Sequence, residues 1–327
     1  MSRALIIGID YYEHSSQLIG CVKDAENISA LLSENEDGSV NFDCMVMTSG
    51  NKENQVRRQR LRQQIQNLFK HETDIALLYF AGHGHIEASG GYIMASDSEG
   101  GNDGVSLTDI LIWANNSPAR NKVIILDSCF SGGVGNNPFT GGLATISEGL
   151  TILAASTSDQ FSYGTSKGGV FTTLMVDALS GGAASLLGQV TPGSIYAHID
   201  QSLGDWDQRP VFKTNVKQFI SLRLTKPRIS LTDLKKISTY FKEATDEYPL
   251  NPSYEPRNEG RTSDMPPADP ANNEIFAVLQ QYNRLNLLVP VGADHMWNAA
   301  MESKSCKLTP LGRHYHRLAK DKRLKIS

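Results

Sequence analysis

Four short, almost wholly apolar runs constrain this chain more than any other feature: Leu5 to Ile9, Ile75 to Phe80, Val123 to Leu126 and Leu150 to Ala154. A strand with one wet face alternates apolar and polar residues, whereas a strand apolar throughout is covered on both faces. Between the runs lie segments with helical spacing. Asp24 to Leu32 places Ala25, Ile28, Leu31 and Leu32 on one side, with Asp24 reading as a helix N-cap. Val56 to Phe69 does the same with Leu61, Ile65, Leu68 and Phe69, and Leu107 to Trp113 and Val170 to Leu179 add two more helices. Cys44 to Met47 is a further strand, Gly90-Gly91 reads as a hairpin turn between Ile86 and Met94, and Arg209 to Lys213 and Gln218 to Leu222 supply late strands. Strands alternating with helices predict an α/β fold: a mostly parallel sheet flanked by helices.

The alternation ends near residue 226, which bounds a first domain at 1–226 and a second at 230–327. In the second, Leu231 to Thr245 and Asn273 to Leu288 read as helices and 249–270, with six prolines, as a loop. A weak strand pair follows around Met296 to Lys307, and Leu308-Thr309-Pro310-Leu311-Gly312 opens a basic helix. From Glu302 onward eight Lys/Arg face only Glu302 and Asp321, although the whole chain carries a net charge of -4. No apolar run is long enough for a membrane helix. The N-terminus passes directly into a strand-like run, with neither a signal-peptide core nor a small-residue cleavage site, so a cytoplasmic protein is expected. Four scattered cysteines, Cys21, Cys44, Cys129 and Cys306, offer neither a disulfide framework nor a zinc knuckle. There is no P-loop and no G-x-S-x-G elbow.

In a parallel α/β sheet, ligands collect beyond the C-terminal strand ends. Two such ends carry chemistry. One run leads into Gly82-His83-Gly84-His85, the other into Asp127-Ser128-Cys129-Phe130. A cysteine just past a buried strand is by itself usually a small hydrophobe, and a histidine in a glycine turn usually a turn residue. Together, about 45 residues apart, they match the His-to-Cys separation of caspases, and a thiolate beside an imidazole is an activated nucleophile.

Four segments carry the resemblance to a known family: Ala4 to Tyr12, Leu18 to Ala25, Tyr79 to Gly84, and Asp127 to Gly132. Through them, residues 3–222 resemble the caspase-like cysteine peptidases, most closely the metacaspases and bacterial orthocaspases. The resemblance implies that His83 is the catalytic histidine and Cys129 the nucleophile, with the N–H groups of Gly84 and Cys129 forming the oxyanion hole. His85 falls one place beyond the pattern and reads as a bystander. Asp24 and Asp127 correspond to carboxylates that line the S1 pocket, with Ser156 and Asp159 flanking it. Two converging carboxylates suit a P1 Arg or Lys. No cofactor is required for the chemistry. The family admits calcium as an activator, and Asp97, Glu99 and Asp103 form an acidic loop with hard oxygen donors, though without EF-hand spacing.

The C-terminal segment resembles a winged helix-turn-helix domain, a module that binds a partner protein or nucleic acid. The leading expectation is therefore a cysteine endopeptidase acting on a protein substrate after Arg or Lys. The architecture resembles effectors of antiphage defence or regulated cell death, some of which cleave a gasdermin. Two other readings compete: a catalytically silent caspase-fold scaffold or sensor, and a nucleic-acid-binding regulator acting through the C-terminal domain.

Overall fold

The computed structural model describes residues 1–87, 90–100, 102–128, 146–155, 164–165, 168–204, 210–216 and 220–325. The chain divides into two compact units, Met1–Lys226 and Pro227–Ser327. In chain order the first contains β1 (Ser2–Ile9), α1 (Cys21–Ser33), β2 (Phe42–Ser49), α2 (Arg58–Lys70), β3 (Ile75–Ala81), β4 (Gly84–Glu87), β5 (Gly90–Ile93), β6 (Val105–Ser106), α3 (Leu107–Asn115), β7 (Asn121–Asp127) and β8 (Leu150–Ala154). It continues through β9 (Gly164–Thr165), β10 (Gly168–Gly169), α4 (Val170–Asp177), a π-helical turn at Ala178–Gly182, β11 (Gln189–Val190), α5 (Pro192–Ser202), β12 (Val211–Asn215) and β13 (Arg223–Leu224).

Six strands form the central sheet in the order β12-β8-β7-β3-β1-β2. All neighbours pair in parallel except β12, which runs antiparallel to β8 at one edge. Period-two alternation sends the side chains of each inner strand to two separate cores. From β3, Ala76, Leu78 and Phe80 join Leu61, Ile65 and Phe69 of α2 and Ile110 of α3 on one face. Ile75, Leu77 and Tyr79 join Ala25, Ile28 and Leu32 of α1, Met175 of α4 and Ile195 and Ile199 of α5 on the other. The sandwich of helices around a mostly parallel sheet is the α/β architecture expected from the apolar runs.

Register fixes where the site lies. Gly8 pairs with Ala81, and Ala81 with Asp127, so β1, β3 and β7 end in one row. Gly8 has no room for a side chain: a Cβ there would stand 2.2 Å from the Cys21 carbonyl oxygen. This close approach seats the start of α1 directly above the end of β1.

Several local expectations are corrected. The helix containing Asp24 begins at Cys21 with Gly20 as its N-cap, so Asp24 lies inside the first turn and does not cap. The hairpin is present, but Gly90 and Gly91 pair with Glu87 and Ile86 and belong to the strand; residues 88–89 lie outside the described residues. Residues 220–222 form no strand, and 217–219 lie outside the described residues.

The second unit comprises α6 (Leu231–Lys235), α7 (Ile237–Tyr240), β14 (Glu247–Pro249), a 3-10 turn at Pro252–Tyr254, α8 (Pro270–Arg284), β15 (Leu288–Val291), α9 (Met296–Met301), β16 (Ser305–Leu308) and α10 (Pro310–Lys320). Its three strands form an antiparallel sheet ordered β14-β16-β15. Two elements differ from expectation. The segment 231–245 is two short helices that meet at Lys236, and the chain turns extended at Phe241, which ends the second. Met296 to Met301, expected as strand, is a helix rich in Ala and Met, and the strands lie on either side of it. The proline-rich loop is tied by Arg261, whose guanidinium donates to the carbonyls of Pro252 (2.9 Å), Glu255 (2.8 Å) and Pro266. Beside it a groove of about 770 Å³ is lined by Glu255, Arg257, Glu259, Gln280 and Trp297. Among the described residues no helix is long and apolar enough to cross a membrane.

Candidate active site

His83 follows the end of β3. Its backbone N–H donates to the Tyr12 hydroxyl at 2.7 Å, and the two rings pack at 4.6 Å between centroids. Tyr12 comes so close to the turn that a Cβ on Gly82 would stand 2.5 Å from its hydroxyl oxygen, which explains the glycine before the histidine. Burial pushes the Tyr12 phenol well above its ordinary value, so it stays protonated and neutral. The imidazole Nε2 lies 2.8 Å from the carbonyl oxygen of Ser16. A carbonyl only accepts, so Nε2 carries the proton, and in the neutral ring Nδ1 holds the lone pair. A histidine held in this tautomer can take a proton at Nδ1 and return it. His85 points instead toward Glu87, at 3.6 Å.

Three aspartates gather at the same strand ends. Asp10, just past β1, accepts the N–H groups of Cys21 (2.8 Å) and Val22 (3.4 Å) and thereby caps α1 in place of the glycine. Asp24 is buried, and its Oδ2 accepts the Gly169 N–H at 3.0 Å. Burial first, then the charges of Asp127 and Asp10, push its carboxyl up to about 6, against the lowering effect of the Gly169 bond. Asp127 ends β7 and accepts from the Thr172 hydroxyl at 2.6 Å; burial pushes its carboxyl up and the bonds from Thr172 oppose this. Gly169 stands between the two: a Cβ there would lie 2.5 Å from Asp127 Oδ2. Asp24 and Asp127 are therefore brought together across one glycine, and among the described residues neither forms an ion pair. The Cys21 thiol, facing all three aspartates, is pushed up by burial and by their charges, and stays protonated.

Cys129, Ser156 and Asp159 lie outside the described residues. Gly84, the next residue after His83, opens β4 opposite Ile93. The acidic loop has structural work: Asp97 accepts the Arg58 N–H at 2.8 Å, supplying the cap that Arg57 cannot, and Asp103 pairs with the Arg58 guanidinium and accepts the Glu99 N–H at 3.1 Å. Among the described residues no group of three His, Cys, Asp or Glu side chains could hold a metal ion. Reading the sequence missed Tyr12, Ser16, Gly169 and Thr172. Thr172 and Gly169 follow the site by more than forty positions in sequence, and a backbone carbonyl such as that of Ser16 has no residue signature at all.

Residues 1–227 match the family described as the caspase domain. The chain belongs to that family. Caspase-domain proteins are cysteine peptidases, so the N-terminal unit is a caspase-like peptidase domain, whose substrates are proteins. A search of solved structures returns a protein from Geobacter sulfurreducens, 16% identical over 69% of this chain and 99% of that one, with a TM-score of 0.48. It also returns caspase-1 from Spodoptera frugiperda, 14% identical over 69% and 90%, with a TM-score of 0.49. Membership of the caspase-domain family rests on the family match rather than on these two. No curated protein matches the chain.

Proposed function

We propose that this caspase-domain protein is a cysteine endopeptidase that cleaves after Arg or Lys, with Cys129 as nucleophile and His83 as the base that activates it and the acid that protonates the leaving amine. The observation that carries the specificity is the pair of carboxylates, Asp24 and Asp127, set on either side of Gly169 at the strand ends beside His83. Two buried carboxylates so placed repel one another until a cation joins them. Register supports the dyad: Ala81 and Asp127 are paired, and His83 and Cys129 each follow by two residues. The N–H groups of Gly84 and Cys129 serve as the oxyanion hole, and Ser156 and Asp159 complete the pocket wall.

Fluorogenic peptides differing only at P1 test the reading. Arg and Lys should be cleaved and Asp spared, and Cys129→Ala or His83→Ala should each abolish turnover while the fold persists. A preference for Asp would overturn the pocket, and turnover in either variant would overturn the dyad. His85→Ala should keep most activity.

In the cell we place the enzyme as a regulated effector of antiphage defence or cell death, with a gasdermin as the first substrate to try and the C-terminal unit as a winged-helix-like recognition module. Calcium is tested as activator by adding it to chelator-treated protein. The scaffold reading would gain from an inactive wild type.

A further inference from the structure

The first turn of α4 touches both acidic side chains. Gly169 gives its N–H to Asp24 and lies so near Asp127 that a Cβ on it would stand 2.5 Å from Oδ2. One turn on, Thr172 is fully buried and its hydroxyl donates to Asp127, at 2.6 Å from Oδ2. A threonine hydroxyl has one proton, and it is spent on the carboxylate. The Tyr79 hydroxyl, 2.6 Å from Thr172 Oγ1, must therefore donate to Thr172. Tyr79 is buried in β3 and keeps its proton. A chain of donors thus runs from Tyr79 through Thr172 and ends on Asp127.

We propose that Thr172, backed by Tyr79, is the positioning residue of the S1 pocket: it orients the Asp127 carboxylate beside Asp24 so that one guanidinium meets both, and so favours Arg over Lys at P1. This rests on the basic-P1 reading above. Thr172 itself does not touch substrate; its hydroxyl is committed to Asp127. A guanidinium carries several N–H donors in one plane and can bond two carboxylates at fixed positions, whereas an ammonium is a point charge that tolerates a displaced partner. A loosened Asp127 should therefore cost Arg more than Lys. Donated bonds also favour the charged carboxylate. Among the described residues, the groups facing Asp127 are Asp24 and Cys21 of α1, Tyr79 of β3 and Thr172 of α4; the Asp24 carboxylate opposes its charge and the Thr172 hydroxyl, backed by Tyr79, supports it.

The test uses the full chain as wild type, Thr172→Val, Thr172→Ser and Tyr79→Phe. Steady-state kinetics on P1-Arg and P1-Lys peptides are followed from about pH 5 to about pH 8. Thr172→Val should lose about ten- to a hundredfold in kcat/KM on Arg, less on Lys, and its acid limb should move to higher pH. Thr172→Ser, which keeps the hydroxyl, should restore the wild-type limb, and Tyr79→Phe should shift it part of the way. Wild-type kinetics with an unmoved limb in Thr172→Val overturns the proposal, as does a Ser variant as impaired as Val. If circular dichroism shows that the Val variant does not fold, an unmoved limb in Tyr79→Phe overturns it. A wild type that cleaves neither basic peptide sinks the basic-P1 reading and this inference together, a result distinct from an unaffected variant of an active enzyme.

Discussion

Asp24 places a charge where the fold would not choose one. Its carboxyl is raised to about 6, so the native state holds the proton more tightly than the unfolded chain does. Stability therefore falls as pH climbs from the ordinary value of 3.8 through about 6, and the full penalty applies above that. A shift of this size corresponds to on the order of 1–3 kcal/mol. Asp24→Asn should raise the Tm at neutral pH, with the advantage shrinking as pH falls through about 6 and gone below 3.8, where the carboxyl is protonated in both states. The same variant should cut Arg-peptide turnover by about tens- to a hundredfold, because one charge-assisted bond of roughly 1.5–3 kcal/mol is lost. Wild-type kcat/KM on Arg should decline as pH drops through about 6. Thermal melts and kinetics on one preparation check all three. A variant that is more stable and equally active would remove Asp24 from the site.

Elements differ in how openly the sequence displays them. Strands β3, β7 and β8 were legible because burial on both faces leaves few polar positions, and His83 because glycines on either side mark a turn at a strand end. Helix α5 was not, although Thr191 and Ser194 form a reciprocal capping box, because its apolar stripe is thin: Ile195 and Ile199 face the core with Tyr196 and His198 between them. The histidine tautomer and the support of Asp127 were invisible because they depend on Ser16 and Thr172, which only the tertiary fold brings near. The proline-rich loop yields a prediction of its own. Between 130 and 166 there is no Lys or Arg, so an enzyme needing a basic P1 cannot cut itself there. Lys167 lies outside the described residues. In the loop, Arg257 is exposed, whereas Arg261 is held by three carbonyls and could enter a pocket only by breaking them. Self-cleavage should therefore follow Arg257, giving a fragment that begins at Asn258, and Arg257→Ala should stay whole. N-terminal sequencing checks this; a cut within 130–166 would contradict the specificity.

At the scale of the whole molecule, charge is gathered at the C-terminal end. On α10, Arg313 and Arg317 are exposed one turn apart and form no ion pair among the described residues, while Lys320 is paired with Glu243. If the C-terminal unit meets nucleic acid, these two arginines neutralise phosphates, and retention on DNA should fall with salt. Arg313→Glu with Arg317→Glu should weaken retention and flatten the log–log salt slope by about two; unchanged retention would leave a protein partner as the occupant. The loop that carries Arg257 has one more consequence. Strand β14 precedes Arg257 and pairs with β16, which follows it, and the Arg261 guanidinium grips carbonyls on both sides of the same bond. A chain nicked after Arg257 would run as two bands under denaturing conditions yet elute as one particle, so the molecule could keep a permanent mark of its first turnover without changing size.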